Sequence, residues 1–315
     1  MKEYGATARS NHKLKFSAID IGTNAARLLL THVYFDRGHP IFKKVGLYRI
    51  PLQLGDDVFT LGRISEKKAE KLHHTMAAFS HLIQIFTPIS VIACATSAIR
   101  EAENGQELAD KISLETGIPI QVIDGKTESE MICQNHLFTT FPDNANYLYI
   151  DVGGGSTEMS HFIRQNSTHS HSFKIGTLRL INNWVEPDAW DQMKAFIKTS
   201  IDPKAKTFAI GTGGNISKAL SLTGEKNSQK PVPLEKLEKL LIDLKNLSVK
   251  DRIIKLNLKP DRAEVIVPAL DVYIKAMKWA KIKAIYIPKI GLSDGLIQHL
   301  FHEHITTHAI QFETV

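Results

Sequence analysis

Two stretches of the chain carry the same short pattern, and this internal repeat constrains the fold more than any other feature. Each copy has a run of apolar residues typical of a buried strand, followed by an aspartate, an apolar residue, a glycine and a turn of small residues. A charged residue then opens the next apolar stretch. The copies span 19–28 and 150–159, which places them 131 residues apart. Such a large offset indicates two similar lobes, whose hairpins would face each other across a cleft.

The tip of the second hairpin carries almost no side-chain bulk. In order, it contains Asp151, Gly153, Gly154, Gly155, Ser156 and Glu158. Consecutive glycines let the main chain approach a ligand closely, and their amides can line a concave site for an anion such as phosphate. The acids would repel phosphate, so they favour a divalent cation between carboxylate and phosphate oxygens. An isolated copy would be interpreted as a polar surface turn, and it is the repeat that favours a binding site.

The composition is ordinary for a globular protein. The 315 residues are 43% hydrophobic and 23% charged, with a formal net charge of +6. This charge suits an anionic ligand, although the scattered lysines favour a solvated basic surface as the default. Basic residues are not clustered with aromatics, so we expect no nucleic-acid partner, and the lack of a long apolar run predicts no membrane association. Cys94 and Cys133 are interpreted as core residues, which fits a reducing, cytoplasmic location.

Two further segments end a predicted strand and then open a helix, an arrangement that can present free amides to an anion. The first contains Thr96 and Ser97, with Arg100 one turn later, where a guanidinium could contact phosphate. A capped helix with a surface arginine explains that pattern equally well. The second segment contains Gly211, Gly213 and Gly214. It lacks the spacing of a P-loop, but it can form a third wall of the site.

Glu128 stands in the first turn of a helix predicted to follow the turn at 124–126. A carboxylate there often only caps the helix, which its position alone favours, and the functional interpretation is a general base at the cleft. Arg179, near the start of a later predicted helix, is a second candidate phosphate contact. Four histidines lie near the end of the chain: His299, His302, His304 and His308. We favour a solvated helix end there over a metal site.

The paired Asp-x-Gly hairpins resemble the two phosphate loops of the superfamily that holds acetate and sugar kinases, actin and the heat-shock chaperone ATPases. Within that superfamily, a series of motifs resembles the exopolyphosphatase / guanosine pentaphosphate phosphohydrolase family over roughly residues 16–300. In chain order the motifs are Ile19 to Leu28, Ala95 to Ala102, Ile123 to Glu128, Asp151 to Glu158, Gly176 with Arg179, and Gly211 to Gly214.

The resemblance implies an α/β fold of two actin-like (ribonuclease H-like) lobes with a cleft between them. The polar residues 1–15 are interpreted as a flexible leader before the first strand. The N-terminal lobe is expected at 16–126 and the C-terminal lobe at 127–315, and the last helix is a candidate to pack back on the first lobe.

The function implied is hydrolysis of the terminal phosphate of inorganic polyphosphate or guanosine pentaphosphate. Glu128 would be the general base that accepts a proton from the attacking water. Mg²⁺ would be held, directly or through water, by Asp20, Asp151 and Glu158. The implied phosphate contacts are Gly22, Thr23, Asn24, Arg27, Thr96, Ser97, Arg100, Gly153, Gly154, Gly155, Ser156, Gly211, Gly213 and Gly214.

The chain departs from the family pattern in three ways. Ala25 stands where a hydroxyl residue is usual, which removes one possible phosphate donor. Thr127 precedes Glu128 where two adjacent acids are common. The length resembles that of a short two-domain branch, which leaves processive action on long chains open.

Two other functions stay open at this stage. A small-molecule kinase of the same superfamily is disfavoured by the short chain and by Arg27, where kinases commonly have lysine. A catalytically silent sensor of an alarmone or of polyphosphate is disfavoured by the complete set of acids. The sequence does not rank polyphosphate against guanosine pentaphosphate, and it leaves open whether the protein is a homodimer.

Overall fold

Two mixed β-sheets, one per lobe, form the framework of the chain. A computed structural model describes residues 13–133, 145–163, 166–202, 204–225, 230–288 and 290–312. The prediction of an α/β fold with two lobes is confirmed. Residues 1–12 of the predicted leader lie outside the described residues, and the first strand begins at Leu14 rather than at the predicted Phe16.

The first sheet has five strands in the order β3-β2-β1-β4-β5. The strands are β1 (Leu14–Ile21), β2 (Ala25–Asp36), β3 (His39–Pro51), β4 (Ser90–Ala95) and β5 (Ile120–Val122). β1 pairs antiparallel with β2 and parallel with β4. β1 is buried from Phe16 to Ile21, a run without alternation that is typical of a strand covered on both faces.

The second sheet has six strands in the order β10-β11-β9-β6-β7-β8. The strands are β6 (Asn146–Val152), β7 (Thr157–Ile163), β8 (Asn166–Phe173), β9 (Thr207–Thr212), β10 (Val232–Pro233) and β11 (Ala284–Tyr286). β6 pairs antiparallel with β7 and parallel with β9. The second sheet therefore repeats the first, since both have a three-strand antiparallel meander continued by parallel strands.

The helices connect and cover the sheets. They are α1 (Leu54–Leu61), α2 (Glu66–Phe86), α3 (Ser97–Glu101), α4 (Gly105–Thr116), α5 (Gly125–Cys133), α6 (Thr177–Ile181), α7 (Ala189–Ser200), α8 (Gly214–Leu222), α9 (Leu234–Lys245), α10 (Val249–Leu256), α11 (Pro260–Ala263), α12 (Ile266–Trp279) and α13 (Leu292–Phe312). Ser65 caps the start of α2, because its hydroxyl accepts a hydrogen bond from the Lys68 amide at 3.4 Å.

The sequence pattern did not predict α1, which lies in the segment between β3 and α2. α1 is preceded by Gln53 and followed by Gly62, both in the left-handed region. The helix predicted to follow the turn at 124–126 and to end near residue 141 is α5, and residues 134–141 of that prediction lie outside the described residues.

Two of the three buried clusters each fill one lobe, and the third lies between the lobes. The third cluster joins Phe16 and Leu29 of the first sheet to Tyr147 and Tyr149 of the second, together with Leu296 of α13. α13 contacts β1, β2 and β4, so the last helix packs against the first sheet. None of the helices in the described part of the chain has the length and apolar character needed to cross a bilayer.

Candidate active site

The two repeated hairpins meet in a cleft of about 520 Å³ between the lobes. Both hairpins lie at the carboxyl ends of parallel strands, β1 in the first sheet and β6 in the second, which is where ligands bind in open α/β sheets. Of the residues predicted for the site, the cleft is lined by Asp20, Gly22, Thr23, Asn24, Arg27, Thr96, Ser97, Glu128, Asp151, Gly153, Gly154, Ser156, Glu158, Gly213 and Gly214.

The two hairpins have the same turn. The Gly22 amide donates to the Ala25 carbonyl at 3.1 Å, and the Gly153 amide donates to the Ser156 carbonyl at 2.9 Å. These two glycine amides close their own turns and do not point to a ligand. Among the described residues, the Gly154 amide donates to no backbone carbonyl, so it is a donor that a phosphate oxygen can take.

The hairpin tips touch one another across the cleft. A Cβ on Gly154 would lie 2.9 Å from Cγ2 of Thr23, so only glycine fits at this point of the second hairpin. Thr23 in turn shares a hydrogen bond of 2.8 Å with the hydroxyl of Ser97, at the start of α3. The first hairpin, α3 and the glycine turn are therefore packed into one wall.

Glu128 lies inside the cleft and not on the outer surface of α5. Burial raises the pKa of Glu128 well above its ordinary value, and the nearby carboxylates of Glu158, Asp151 and Asp20 raise it further. Arg100 acts in the opposite direction. A carboxyl group in such surroundings takes up a proton more readily than an exposed one, which is what a general base requires.

The pKa values of the two acids of the second hairpin are raised by burial and lowered by hydrogen bonds. Burial raises the pKa of Asp151 to about 6, although hydrogen bonding from Thr212 lowers it. Burial also raises the pKa of Glu158 to about 7, against hydrogen bonds from Ser156 and Ser172. Asp151 and Glu158 are register partners on β6 and β7, so the second hairpin pairs two carboxylates rather than an acid and a base.

Asp20, the equivalent acid of the first hairpin, has a cationic partner. Its Oδ2 accepts from Nη1 of Arg27 at 2.5 Å, and the two residues stand opposite each other on β1 and β2. Burial of Arg27 disfavours its charge, but the pKa of Arg27 is raised because the carboxylates of Asp20, Asp151 and Glu128 together outweigh this effect. Arg27 also lines the cleft, so its guanidinium can reach a phosphate while it contacts Asp20.

Three predicted phosphate contacts do not line the cleft. Arg100 donates from Nη1 to the Ile123 carbonyl at 2.8 Å, so this nitrogen is engaged by the main chain. Gly155 faces Ser97, and a Cβ there would lie 2.4 Å from that hydroxyl. Gly211 is inside β9, where a Cβ would lie 2.8 Å from Ile285. For these residues the structure supports a packing role.

Arg179 is likewise a structural contact rather than part of the cleft wall. Its Nε donates to the Gly155 carbonyl at 2.8 Å, and its Nη2 forms an ion pair with Glu101 of the first lobe. The guanidinium lies over the ring of Phe59, 4.1 Å from the ring centre. Arg179 therefore ties the glycine turn to α1 and α3.

A basic wall that sequence reasoning missed stands opposite the acids. It comprises Lys44 and Arg49 of β3, together with Lys259 and Arg262 at α11. Arg49 pairs with Asp261 at 2.5 Å and Lys44 pairs with Asp294 at 2.6 Å, and both pairs join the first lobe to the second. No local pattern in the sequence of β3 connects these basic residues to α11.

The donor set fits a divalent cation, with one restriction. Asp151 and Glu158 offer hard oxygen ligands, and burial together with their mutual repulsion raises the pKa of Glu158, while burial and the charge of Asp20 raise the pKa of Asp151. Within the residues that the structure describes, no group of three or more histidine, cysteine, aspartate or glutamate side chains is arranged to hold a metal ion directly. The geometry therefore suits a cation bound by one or two carboxylates that takes its other ligands from water and substrate, as Mg²⁺ commonly does.

Comparisons with known proteins agree with this site. A model of the Ppx/GppA phosphatase family matches residues 36–304. Exopolyphosphatase 1 of Mycobacterium tuberculosis is 24% identical over 303 residues, which cover 90% of this chain and 87% of the relative. The phosphatase-containing bifunctional 3-dehydroquinate synthase of Fusobacterium nucleatum is 29% identical over 223 residues, 65% of this chain and 34% of that protein.

Solved structures show the same fold. An exopolyphosphatase from Cytophaga hutchinsonii superimposes with a TM-score of 0.78 at 24% identity, covering 92% of this chain and 98% of that one. The Ppx/GppA family member of Aquifex aeolicus has a TM-score of 0.75 at 21% identity, covering 93% and 99%. The chain belongs to the Ppx/GppA phosphatase family and is a hydrolase of phosphoric anhydrides. The predicted actin-like fold class is confirmed.

Proposed function

We propose that this protein removes the terminal phosphate of inorganic polyphosphate or guanosine pentaphosphate, with water as the acceptor. Relatives that cover most of the chain are exopolyphosphatases, which favours polyphosphate as a substrate. The observation that carries the proposal is the position of Glu128, a half-buried carboxylate that lines the cleft near the acids of both hairpins.

The reaction requires one bond to form and one to break. The water oxygen attacks the terminal phosphorus in line with the bridging oxygen, and the proton of that water passes to the Glu128 carboxylate. The bridging P–O bond breaks, so orthophosphate leaves together with a chain one phosphate shorter. The Gly154 amide and the Arg27 guanidinium would donate to the equatorial phosphoryl oxygens, where negative charge builds up.

Mg²⁺ is the cation that we propose for the second hairpin. Asp151 and Glu158 would hold it, with Asp20 joined through water, and it would neutralise phosphoryl charge and lower the pKa of Glu128. Other residues of the cleft would orient the substrate. Ser156 and Thr177 line the same wall of the cleft and can orient phosphate oxygens with their hydroxyl groups.

The test is phosphate release from polyphosphate and from guanosine pentaphosphate, with and without Mg²⁺, for the wild type and Glu128→Gln. We expect kcat to fall by about two to four orders of magnitude in the variant, with substrate binding nearly unchanged. Glu130→Gln is the matched control, because Glu130 is on the same helix but exposed, and it pairs with Lys126 at 3.8 Å.

Each alternative gives its own result. Near-wild-type turnover by Glu128→Gln contradicts the assigned base. ADP formation from ATP with an added acceptor would indicate a kinase. Tight binding of either substrate by the wild type without phosphate release would indicate a sensor.

A further inference from the structure

A group of buried hydroxyls lies beside Asp151, among residues that do not themselves line the cleft. Tyr149 precedes Asp151 by two residues on β6, so both side chains point to the same face of the sheet. Thr212 is the register partner of Asp151 on the neighbouring strand β9. Strand periodicity and register therefore bring a tyrosine and a threonine hydroxyl to one carboxylate.

Both hydroxyls contact the carboxylate. The Tyr149 hydroxyl donates to Oδ2 of Asp151 at 3.3 Å, and the Thr212 hydroxyl also hydrogen-bonds to this carboxylate. The two hydroxyls are themselves 2.5 Å apart. Tyr149 and Thr212 are fully buried, so water does not replace either contact.

A second tyrosine fixes the main chain at the same place. The Tyr273 hydroxyl, on α12, donates to the Thr212 carbonyl at 2.6 Å and accepts from the Val152 amide at 3.2 Å. It therefore bridges the ends of β6 and β9 just beyond their last register pair, Asp151 with Thr212. Its contacts are to the backbone, whereas those of Tyr149 and Thr212 are to the carboxylate.

The far side of the Asp151 carboxylate is also fixed. A Cβ on Gly213 would lie 2.7 Å from Oδ1 of Asp151, and Gly213 has φ +95, which other residues rarely adopt. A glycine at this position leaves Oδ1 room beside the start of α8. The carboxylate is thus held from behind by hydroxyls and bordered in front by a backbone that carries no side chain.

We propose that Tyr149 and Thr212 are positioning residues that orient the Asp151 carboxylate for a divalent cation through neutral hydroxyl groups. The inference rests on the proposed function, because it concerns the carboxylate that would hold the cation. Asp20 is oriented by an arginine, which cancels its charge, whereas neutral hydroxyls orient Asp151.

The test measures cation binding without turnover. Mn²⁺ binding is followed by the loss of its free EPR signal, with Mg²⁺ as the competitor, in the wild type, Tyr149→Phe and Thr212→Val. Because loss of an outer hydrogen bond to a metal ligand typically costs about 10- to 100-fold in affinity, we expect the Mn²⁺ dissociation constant to rise by at least about 10-fold in each variant.

Two variants separate positioning from stability. Thr212→Ser keeps the hydroxyl and should bind Mn²⁺ like the wild type, although it loses a buried methyl group. Tyr273→Phe loses an equally buried hydroxyl that contacts only backbone, so it should lower Tm without weakening Mn²⁺ binding. In a Mg²⁺ titration of activity, Tyr149→Phe should show a raised activation constant for Mg²⁺, and at saturating Mg²⁺ its KM for substrate should be close to that of the wild type.

Several outcomes overturn the inference. The inference is wrong if Tyr149→Phe and Thr212→Val bind Mn²⁺ with wild-type affinity. It is also wrong if Tyr273→Phe loses as much Mn²⁺ affinity as those two variants. A wild-type protein that binds no Mn²⁺ also overturns it. A wild type that binds Mn²⁺ but releases phosphate from neither substrate contradicts the proposed function alone, since the Mn²⁺ comparison among the variants still decides the positioning role.

Discussion

The two repeated hairpins share a backbone but differ in charge. Each closes its turn with the equivalent glycine amide, at 3.1 Å in the first and 2.9 Å in the second. Across the strand pair, Asp20 of the first hairpin stands opposite Arg27, whereas Asp151 of the second stands opposite Glu158. The same scaffold therefore carries a neutral ion pair on one side of the cleft and two carboxylates on the other.

This difference suggests how the work is divided. The first hairpin can present a guanidinium to phosphate because its aspartate is already matched. The second hairpin concentrates negative charge beside Glu128, which suits a cation and a proton acceptor. A symmetrical pair of hairpins would grip phosphate from both sides but would lack the acidic side that the proposed hydrolysis needs.

The largest contrast is expected when the charge opposite each aspartate is removed. Arg27→Gln leaves the buried Asp20 without its cation, and we expect it to lower the free energy of unfolding by about 2 kcal/mol. Glu158→Gln removes one of two repelling carboxylates and should raise the free energy of unfolding at pH 8 in EDTA. Urea denaturation of both variants measures the two changes.

The isosteric replacement at Glu158 keeps an oxygen that can accept from the Ser172 hydroxyl, which lies 3.0 Å from Oε1 in the wild type. A loss of stability in both variants, of similar size, would mean that the two hairpins do not differ in electrostatic balance.

A smaller effect is expected from pH. The folded-state pKa is raised to about 6 for Asp151 and about 7 for Glu158, so the folded protein holds protons that the unfolded chain releases at lower pH. These two groups contribute full stability below about pH 4, and they lose that contribution as the pH rises through about 6 to 7. In EDTA, the Tm of the wild type should therefore fall from pH 5 to pH 8 relative to that of an Asp151→Asn, Glu158→Gln double variant.

Mg²⁺ should reverse this loss most strongly at pH 8, where both carboxyl groups are ionised. Parallel Tm curves for the wild type and the double variant across this range would show that the two acids do not carry the raised pKa values.

The smallest effect is expected at the turn itself. Ala25 stands at the position that Ser156 occupies in the second hairpin, and both residues line the cleft. Ala25→Ser gives the first hairpin the hydroxyl it lacks, and one added hydrogen bond to phosphate should lower KM by roughly 2- to 10-fold. Steady-state kinetics with short polyphosphate measures the change. Ala26→Ser is a control, because Ala26 is buried and does not line the cleft.

The internal repeat made much of the site predictable from the sequence. A strand, an aspartate and a glycine turn are local features of the sequence. The second copy of this pattern indicated which two turns would face each other. The placement of Glu128 came from a resemblance, since its position in a first helical turn favoured capping on its own.

Side-chain direction and long-range contacts were not predictable in the same way. Gly211 and Gly155 occur within glycine-rich loops, but their missing Cβ atoms make room for Ile285 and Ser97 rather than for a ligand. Arg179 is near the predicted site in sequence yet pairs with Glu101 of the other lobe. The basic wall joins β3 to α11, segments about 200 residues apart that share no local pattern.

The division of labour between the hairpins is tested most directly by the Mn²⁺ affinity of Asp151→Asn compared with that of Asp20→Asn. Both substitutions replace an acid that lines the cleft by an amide of the same shape, one in each hairpin. We predict that Asp151→Asn weakens Mn²⁺ binding by at least about 10-fold, while Asp20→Asn, whose acid already pairs with Arg27, changes it much less. The reverse order would contradict the account, because it would place the cation on the first hairpin.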